Sequence, residues 1–514
     1  MTNFDLNATW AYHNGTKHSY ESIYADPHYL DWENQPLPFK IYKTLELIPL
    51  PRDLLSSGVP ALAAVSAFHP PTSGPAIPTL PMVASLLHFS AGITKRKEYP
   101  GGEILFRAAA CTGALYHVEL YVVCGDLPDL EAGVYHFGPG DFALHRLRRG
   151  DYRSMLVQAT GGERSVAAAP MTLICTSTYW RNAWKYRSRT YRHCFWDTGT
   201  ILANLLAVTV AYHLPARAVL GFVDEAVNHL LGLDGDREAV TCLVALGYQP
   251  ESTAGSPPPS EPIVLDTVPL SQHEVDYPAI RAMHAASSLR NETEAATWRG
   301  GTPAHTWPEP MGELFPLRPL SAADLPPDTI EQVILRRGSS RKFARVPVSF
   351  AQLSTTLHRA TRGIPADFLD PPGAMLNDLY LSVNAVDGLP AGAYVFRRDR
   401  DALELLRPGN FRREAGYLGL MQEIPADASV DVFFLTDLST MLERFGNRGY
   451  RAAQLEAGLI GGKLYLAAYA QRLGASGLTF FDDDVMRFFS PHAAGKSAMF
   501  LVALGKAARV RREA

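Results

Sequence analysis

The chain has 514 residues, 47% of them hydrophobic and 19% charged, with a formal net charge of -4. A length of this order exceeds one ordinary domain and suits two units of about 250 residues, each large enough to bury its own core. The charge balance, with no long basic run, argues against a nucleic-acid partner, and 47% hydrophobic residues exclude a disordered chain.

Polar and acidic groups fill the first thirty residues, and the longest apolar run, Ile201 to Leu214, falls short of a bilayer span. A cytoplasmic protein without a membrane partner is the expectation. The opening segment YHNGTKHSY brings His13, Lys17 and His18 close in sequence. No spaced Asp, Glu or Cys accompanies them, so a structural histidine cluster is favoured over a metal site. The five cysteines, Cys111, Cys124, Cys175, Cys194 and Cys242, show no CxxC spacing. Neither a disulfide framework nor a structural zinc site is expected from them.

Residues 107 to 121, RAAACTGALYHVELY, pass from a run of small side chains into a strand pattern. Few side chains obstruct the backbone between Ala109 and Ala114, so a flat ring could lie against it; an ordinary loop entering a strand is the plain alternative. KYRSRTYR follows at 185 to 192, then an apolar helix from Ile201 to Tyr212 and an apolar strand, TCLVALG. By itself KYRSRTYR also reads as a basic turn capping a helix.

The second half repeats the first. Tyr191 and Tyr450 lie 259 positions apart (450 - 191), and Gly133 with Gly392 and Gly199 with Gly458 share that offset. Self-similarity at one spacing marks a duplicated unit. Between the copies runs ESTAGSPPPSEP, whose Ser, Gly and Pro content predicts a linker. The expected organisation is a first domain over 1–250, a linker over 251–265 and a second domain over 266–514.

LRRGSSRKF, at 335 to 343, sets Arg337, Ser339 and Arg341 on alternate positions. Two guanidinium forks and a hydroxyl could converge on one phosphate, and a solvated basic turn is the alternative. The triplet Asp482, Asp483 and Asp484 reads as a helix N-terminus, where negative charge meets the positive end of the helix dipole. The terminal KAARVRR is either a solvated end or a further source of positive charge.

Taken together, these motifs resemble the nitroreductase superfamily of FMN enzymes, and within it the azoline dehydrogenase branch. LRRGSSRKF is similar to the family's R-x-S-x-R phosphate motif, AACTGALYHVELY to its P-S-A-G-A-L-Y-P-x-E-L-Y flavin loop, and RNAWKYRSRTYR to the branch's Lys-Tyr signature. Ala110 and Cys111 depart from Pro-Ser, His117 from the second Pro, and Asp197 from a usual Glu. The resemblance implies an α+β fold of two nitroreductase-like domains fused as an intramolecular pseudo-dimer, acting as a monomer or as a further homodimer.

It also implies FMN as cofactor, gripped by Arg337, Ser339 and Arg341 of copy two and by Ala110, Cys111, Thr112 and Ala114 of copy one. Gly477 and Leu478 would approach the ring, while Lys506 and Arg509 would add charge at the phosphate. Lys185 and Tyr186 are the implied proton-transfer pair, with Arg187 and Arg189 able to lower the lysine's pKa. Tyr116 and His117 could line the pocket, although core aromatics at a strand entrance are the plainer reading.

Copy one lacks Arg and Lys in VSAFHPPTSGPAIP, where its phosphate motif should stand. Copy two has DPPGAMLNDLY in place of a flavin loop, and Arg444 and Phe445 in place of the Lys-Tyr pair. One FMN per chain is therefore expected. The implied reaction is azoline oxidation in a modified peptide or related small molecule, with oxygen reoxidising the flavin. An NAD(P)H-dependent nitro or quinone reductase and a flavin-free scaffold of a biosynthetic complex are the alternatives.

Overall fold

The computed structural model describes residues 2–25, 27–66, 74–99, 102–250 and 258–508. Two seven-stranded sheets dominate it, and every neighbouring pair of strands within each is antiparallel. The first orders its strands as Glu46–Pro49, Ala143–Arg149, Gly133–Gly138, Val118–Cys124, Met171–Thr178, Glu238–Leu246 and Ala216–Val219. The second repeats this order with Leu314–Pro316, Ala402–Pro408, Gly392–Arg397, Asp378–Val383, Val430–Thr436, Ser497–Gly505 and Gly474–Leu478. Antiparallel sheets with helices packed around them make the fold α+β.

The 259-residue offset holds from strand to strand. Gly133 and Gly392 both open their strands, and the terminal strands Glu238–Leu246 and Ser497–Gly505 are in register with it. Ahead of the flavin loop the offset is larger: the buried histidines His13 and His284 are 271 positions apart (284 - 13) on the matching helices Asn7–Gly15 and Pro278–Ala286. The difference is accounted for by an antiparallel hairpin, Ile93–Tyr99 with Gly102–Arg107, which enters copy one before its flavin loop. At the matching place copy two has a shorter connection from the helix Phe350–Ala360 to the strand Asp378–Val383.

The copies meet along two long helices, Thr190–Ala211 and Arg448–Ala470, nearly every residue of which is buried. Glycine is required where they touch. A Cβ on Gly199 would lie 2.5 Å from the Leu459 nitrogen and 2.6 Å from the Leu455 oxygen, and one on Gly458 would lie 2.4 Å from the Trp196 oxygen. Such separations leave no space for a methyl group. The helical stretch Tyr179–Ala211 is long and apolar enough to cross a membrane, unlike the shorter run read from sequence, and 94% of its apolar window is buried inside the fold.

Reciprocal ion clusters lock the seam. Arg189 and Arg192 of copy one hold Asp482 of copy two at 3.0 and 2.6 Å. At positions 259 later, Arg448 and Arg451 hold Asp224 of copy one, both at 2.6 Å. All six side chains are buried. Carbonyls complete the shells: Arg192 donates to the His13 oxygen and Arg451 to the His284 oxygen, each at 2.8 Å. The aspartate triplet does begin a helix, Asp482–Phe489, and its first member is also this buried acceptor. His18 donates its backbone N–H to Asp482, while Lys17 pairs with Asp483 at 2.8 Å, so the opening histidine segment belongs to the seam.

Of the expected linker, residues 251–257 lie outside the described residues. The remainder packs on copy one: Arg148 donates to the Glu261 oxygen at 2.9 Å, and Ile263 closes over Gly232. Apolar contact and a buried guanidinium tie down a stretch whose composition alone suggests free chain.

Two outcomes follow from the seam. Gly199→Ala, which in an open helix would stabilise by about 1 kcal/mol, should instead destabilise by roughly 1–3 kcal/mol through overpacking, measured by chemical denaturation. The flanking arginines hold the Asp224 carboxyl down to about 2 against the burial that raises it. Its folded pKa is below the unfolded value, so its contribution is present above about pH 4 and is lost as pH falls through about 2. Asp224→Asn should flatten this acid limb of the stability profile, and an unchanged limb would refute the assignment.

Candidate functional site at the seam between the copies

The flavin-loop segment of copy one is a strained turn. Gly113, Ala114 and Tyr116 all take positive φ, at 64°, 54° and 50°. Left-handed residues without glycine's freedom cost roughly 1–3 kcal/mol each, and such strain gathers at functional sites. Asp197, on the long helix of copy one, holds the turn in place. Its carboxylate accepts from the Thr112 backbone N–H at 3.0 Å, the Thr112 hydroxyl at 2.8 Å and the Cys111 thiol at 3.0 Å, and meets His117 Nε2 at 2.7 Å. Thr200, one helical turn on, donates to the Ala110 carbonyl at 2.6 Å. Burial and the adjacent carboxylate push the Cys111 thiol well above its usual range.

Copy two builds the matching cap differently. Glu456, 259 positions after Asp197, accepts from the backbone of Leu376 and Asn377 at 3.0 and 2.9 Å and from the Asn377 side chain at 2.7 Å. Burial pushes that carboxyl up to about 7. Arg398 bonds the Gly373 carbonyl of this loop at 2.7 Å.

The phosphate-motif residues lie against copy one's turn. Arg337 follows the helix Ile330–Arg336 and donates to the carbonyls of Ala108 at 2.8 Å and Arg107 at 3.1 Å. Its guanidinium thus ties the two copies together at the head of that turn. Ser339 and Arg341 are exposed. The chain after the last strand runs alongside them, with the Ala344 N–H bonded to the Lys506 carbonyl at 2.9 Å and the Ala508 N–H to the Lys342 carbonyl at 3.0 Å. Lys506 is exposed there, and Arg509 lies outside the described residues. A hydroxyl, an exposed guanidinium and an ammonium in one neighbourhood suit a phosphate dianion.

Sequence reasoning missed Tyr465, which organises this side. Its hydroxyl lies 3.3 Å from Ser339 Oγ and accepts the Gly477 N–H, and its ring lies 5.9 Å beneath the Arg337 guanidinium. Copy one has Leu206 at the matching position, so a tyrosine hydroxyl in one copy where the other has an apolar side chain was the available signal. Leu478, next to Gly477, is half-buried at the end of its strand.

Lys185 and Tyr186 end the helix Tyr179–Tyr186, above the same turn. A Cβ on Gly113 would meet the Tyr186 hydroxyl at 2.8 Å, so the phenol rests directly on this turn. Lys185 is half-buried, with its ammonium 5.4 Å from the Tyr186 ring. Burial, and then the positive charge of Arg341 across the seam, lower its pKa. Arg187, at φ 53°, ends the helix in a left-handed conformation that Gly446 supplies in copy two. The other candidate modulator, Arg189, is committed to Asp482.

The mirror position differs in kind. Arg444 is bonded to the carbonyls of Gly300 and Gly301, and Phe445 is buried against Trp298 at 5.3 Å between ring centres. Its phosphate-side segment lies largely in residues 67–73, outside the described residues. Beside copy one's turn a cleft of about 750 Å³ opens, lined by Phe39, Arg96, Tyr99, Ala114 and Tyr116 among others. Its volume is within the range of small-molecule sites.

Comparison with known proteins agrees with this architecture. The nitroreductase family model matches residues 334–506. A crystal structure of a nitroreductase-like protein from Anabaena variabilis superposes with a TM-score of 0.75 at 25% identity, covering 98% of this chain and 99% of that one. The nitroreductase-like protein MJ1384 of Methanocaldococcus jannaschii is 25% identical over 30% of this chain and 74% of its own length. The Microcin B17-processing protein McbC of Escherichia coli is 27% identical over 27% of this chain, which spans about half of that relative (49%). The chain therefore has a nitroreductase-like fold present twice, and its second copy matches the family model over residues 334–506.

Proposed function

We propose that this nitroreductase-type oxidoreductase holds one FMN at the seam and oxidises an azoline, in a modified peptide or related small molecule, to the azole. The observation that carries the reading is a meeting of groups from opposite halves: Tyr186 rests on Gly113 in copy one with the Lys185 ammonium 5.4 Å from its ring, and burial, then the charge of Arg341 in copy two, lower the lysine's pKa. The likeness to a microcin-processing protein supports a peptide substrate, and the cleft beside Tyr116 offers room for one.

Ser339, Arg341 and Lys506 would hold the phosphate, and Arg337 anchors the flavin loop that faces it. The Cys111 to Ala114 turn and Gly477 would border the ring. FMN, when bound, supplies the hydride acceptor. Lys185 would take the proton from the azoline ring carbon as hydride leaves. The neutral amine is the active form, and a lowered pKa puts more of it in place near neutral pH. Tyr186 would position the substrate against the loop.

Flavin quantitation should return one FMN per chain. Arg341→Ala should weaken FMN retention by roughly tenfold or more, as expected for a charge-assisted hydrogen bond. Two flavins per chain would overturn the single-site reading. With a thiazoline-containing peptide, Lys185→Ala should lower turnover by roughly 100-fold or more while FMN content stays constant. The wild-type rate should rise with pH through the lysine's lowered pKa. Efficient NADH or NADPH oxidation with a nitroaromatic acceptor, insensitive to Lys185→Ala, would transfer the assignment to a reductase.

A further inference from the structure

Three of the four departures from the flavin-loop and helix patterns, Cys111, His117 and Asp197, are up to 86 positions apart in sequence (197 - 111) and converge on one point. Their ligand-capable atoms all lie within 4.8 Å of one another. Cys111 Sγ and His117 Nε2 both address the same oxygen of Asp197, at 3.0 and 2.7 Å. No such trio exists in copy two, where Leu376 and Glu456 stand 259 positions after His117 and Asp197, and where there is no cysteine.

The surroundings suit a metal ion. His117 Nδ1 lies 2.8 Å from Ser177 Oγ, which in turn donates to Cys194 Sγ at 3.2 Å. Ser177 thus holds the outer nitrogen of the imidazole and points Nε2 at the Asp197 carboxylate. In the metal-free protein a proton on Nε2 bridges this 2.7 Å contact, and a metal would take the proton's place. An outer hydrogen bond that fixes the tautomer is how ligating imidazoles are held. The Tyr116 N–H donates to Cys111 Sγ at 3.0 Å, so the sulfur also has a partner that orients it. A void of about 10 Å³ borders Cys111 and Asp197, between Arg107 and Tyr116, about enough for one water.

We propose that Cys111, His117 and Asp197 bind one divalent transition metal of the zinc class, with a water in the fourth position. Three protein ligands of S, N and O type with an open place match zinc's preferences. Bonds of about 2.0–2.3 Å in a tetrahedron space ligand atoms roughly 3.3–3.6 Å apart, so the contacts of Cys111 and His117 to Asp197 need to open by roughly half an ångström. Binding converts the thiol to a metal-bound thiolate and releases its proton to solvent. The metal would clamp the strained turn of copy one to the long helix, a role that Glu456 fills in copy two with hydrogen bonds alone.

The test uses the full chain, purified after growth with zinc and then desalted, with metal measured by mass spectrometry. About one zinc per chain is expected. His117→Leu, which installs the residue of copy two, should cut that ratio by roughly tenfold or more, with fold checked by circular dichroism. Flavin-stripped protein loaded with cobalt should gain a thiolate-to-cobalt charge-transfer band in the difference spectrum, and Cys111→Ser should lose it. Substoichiometric zinc in the loaded wild type, or a cobalt derivative without the thiolate band, would overturn the proposal even if His117→Leu does not fold.

Discussion

Two aspartates, each gripped by a pair of arginines from the opposite copy, are the constraint on which the rest of the structure depends. Asp224 and Asp482 start matching helices, and each carboxylate enters the other copy's long-helix seam. Burying three charges in each cluster is costly, and it is tolerable because every guanidinium also finds carbonyls or hydroxyls. Removing one member would strand the others in a dry interior, where a broken pair typically costs about 3–5 kcal/mol. Such contacts specify a relative orientation of the halves far more sharply than apolar packing does.

That orientation is what assembles the site. Arg337 can reach the Ala108 carbonyl, and Arg341 can influence Lys185, only because the seam sets copy two's motif beside copy one's turn. The glycine contact at Gly199 and Gly458 brings the two helix backbones within touching distance and sets the spacing along the same axis. Fold and chemistry are coupled here through the interface between halves, and neither half contains the whole constellation.

Much of this was legible in the residues. The repeat could be read because Gly133, Tyr191 and Gly199 have partners at one spacing, and the asymmetry of the halves because Lys-Tyr faces Arg-Phe at that spacing. The ion clusters were not, since Asp482 among three aspartates satisfies a local rule for helix starts that conceals its long-range partners. Tyr465 was hidden within a helix whose apolar pattern explained it equally well as core. Cys111, His117 and Asp197 each looked like an isolated exception, because ligand spacing in sequence says nothing about groups that a turn, a strand entrance and a distant helix bring together. The linker's composition described its solubility and missed its docking on Arg148 and Gly232.

Among the described residues, the hairpin of Ile93–Tyr99 with Gly102–Arg107 exists in one half only. Were the halves separate identical chains, any such insertion would be written into both, and each active centre would acquire it. Covalent joining removes that obligation: the doorway beside Tyr99 and Tyr116 can be remodelled while the opposite flank stays untouched. A mirror-related pair has in this way become a molecule with a front and a back.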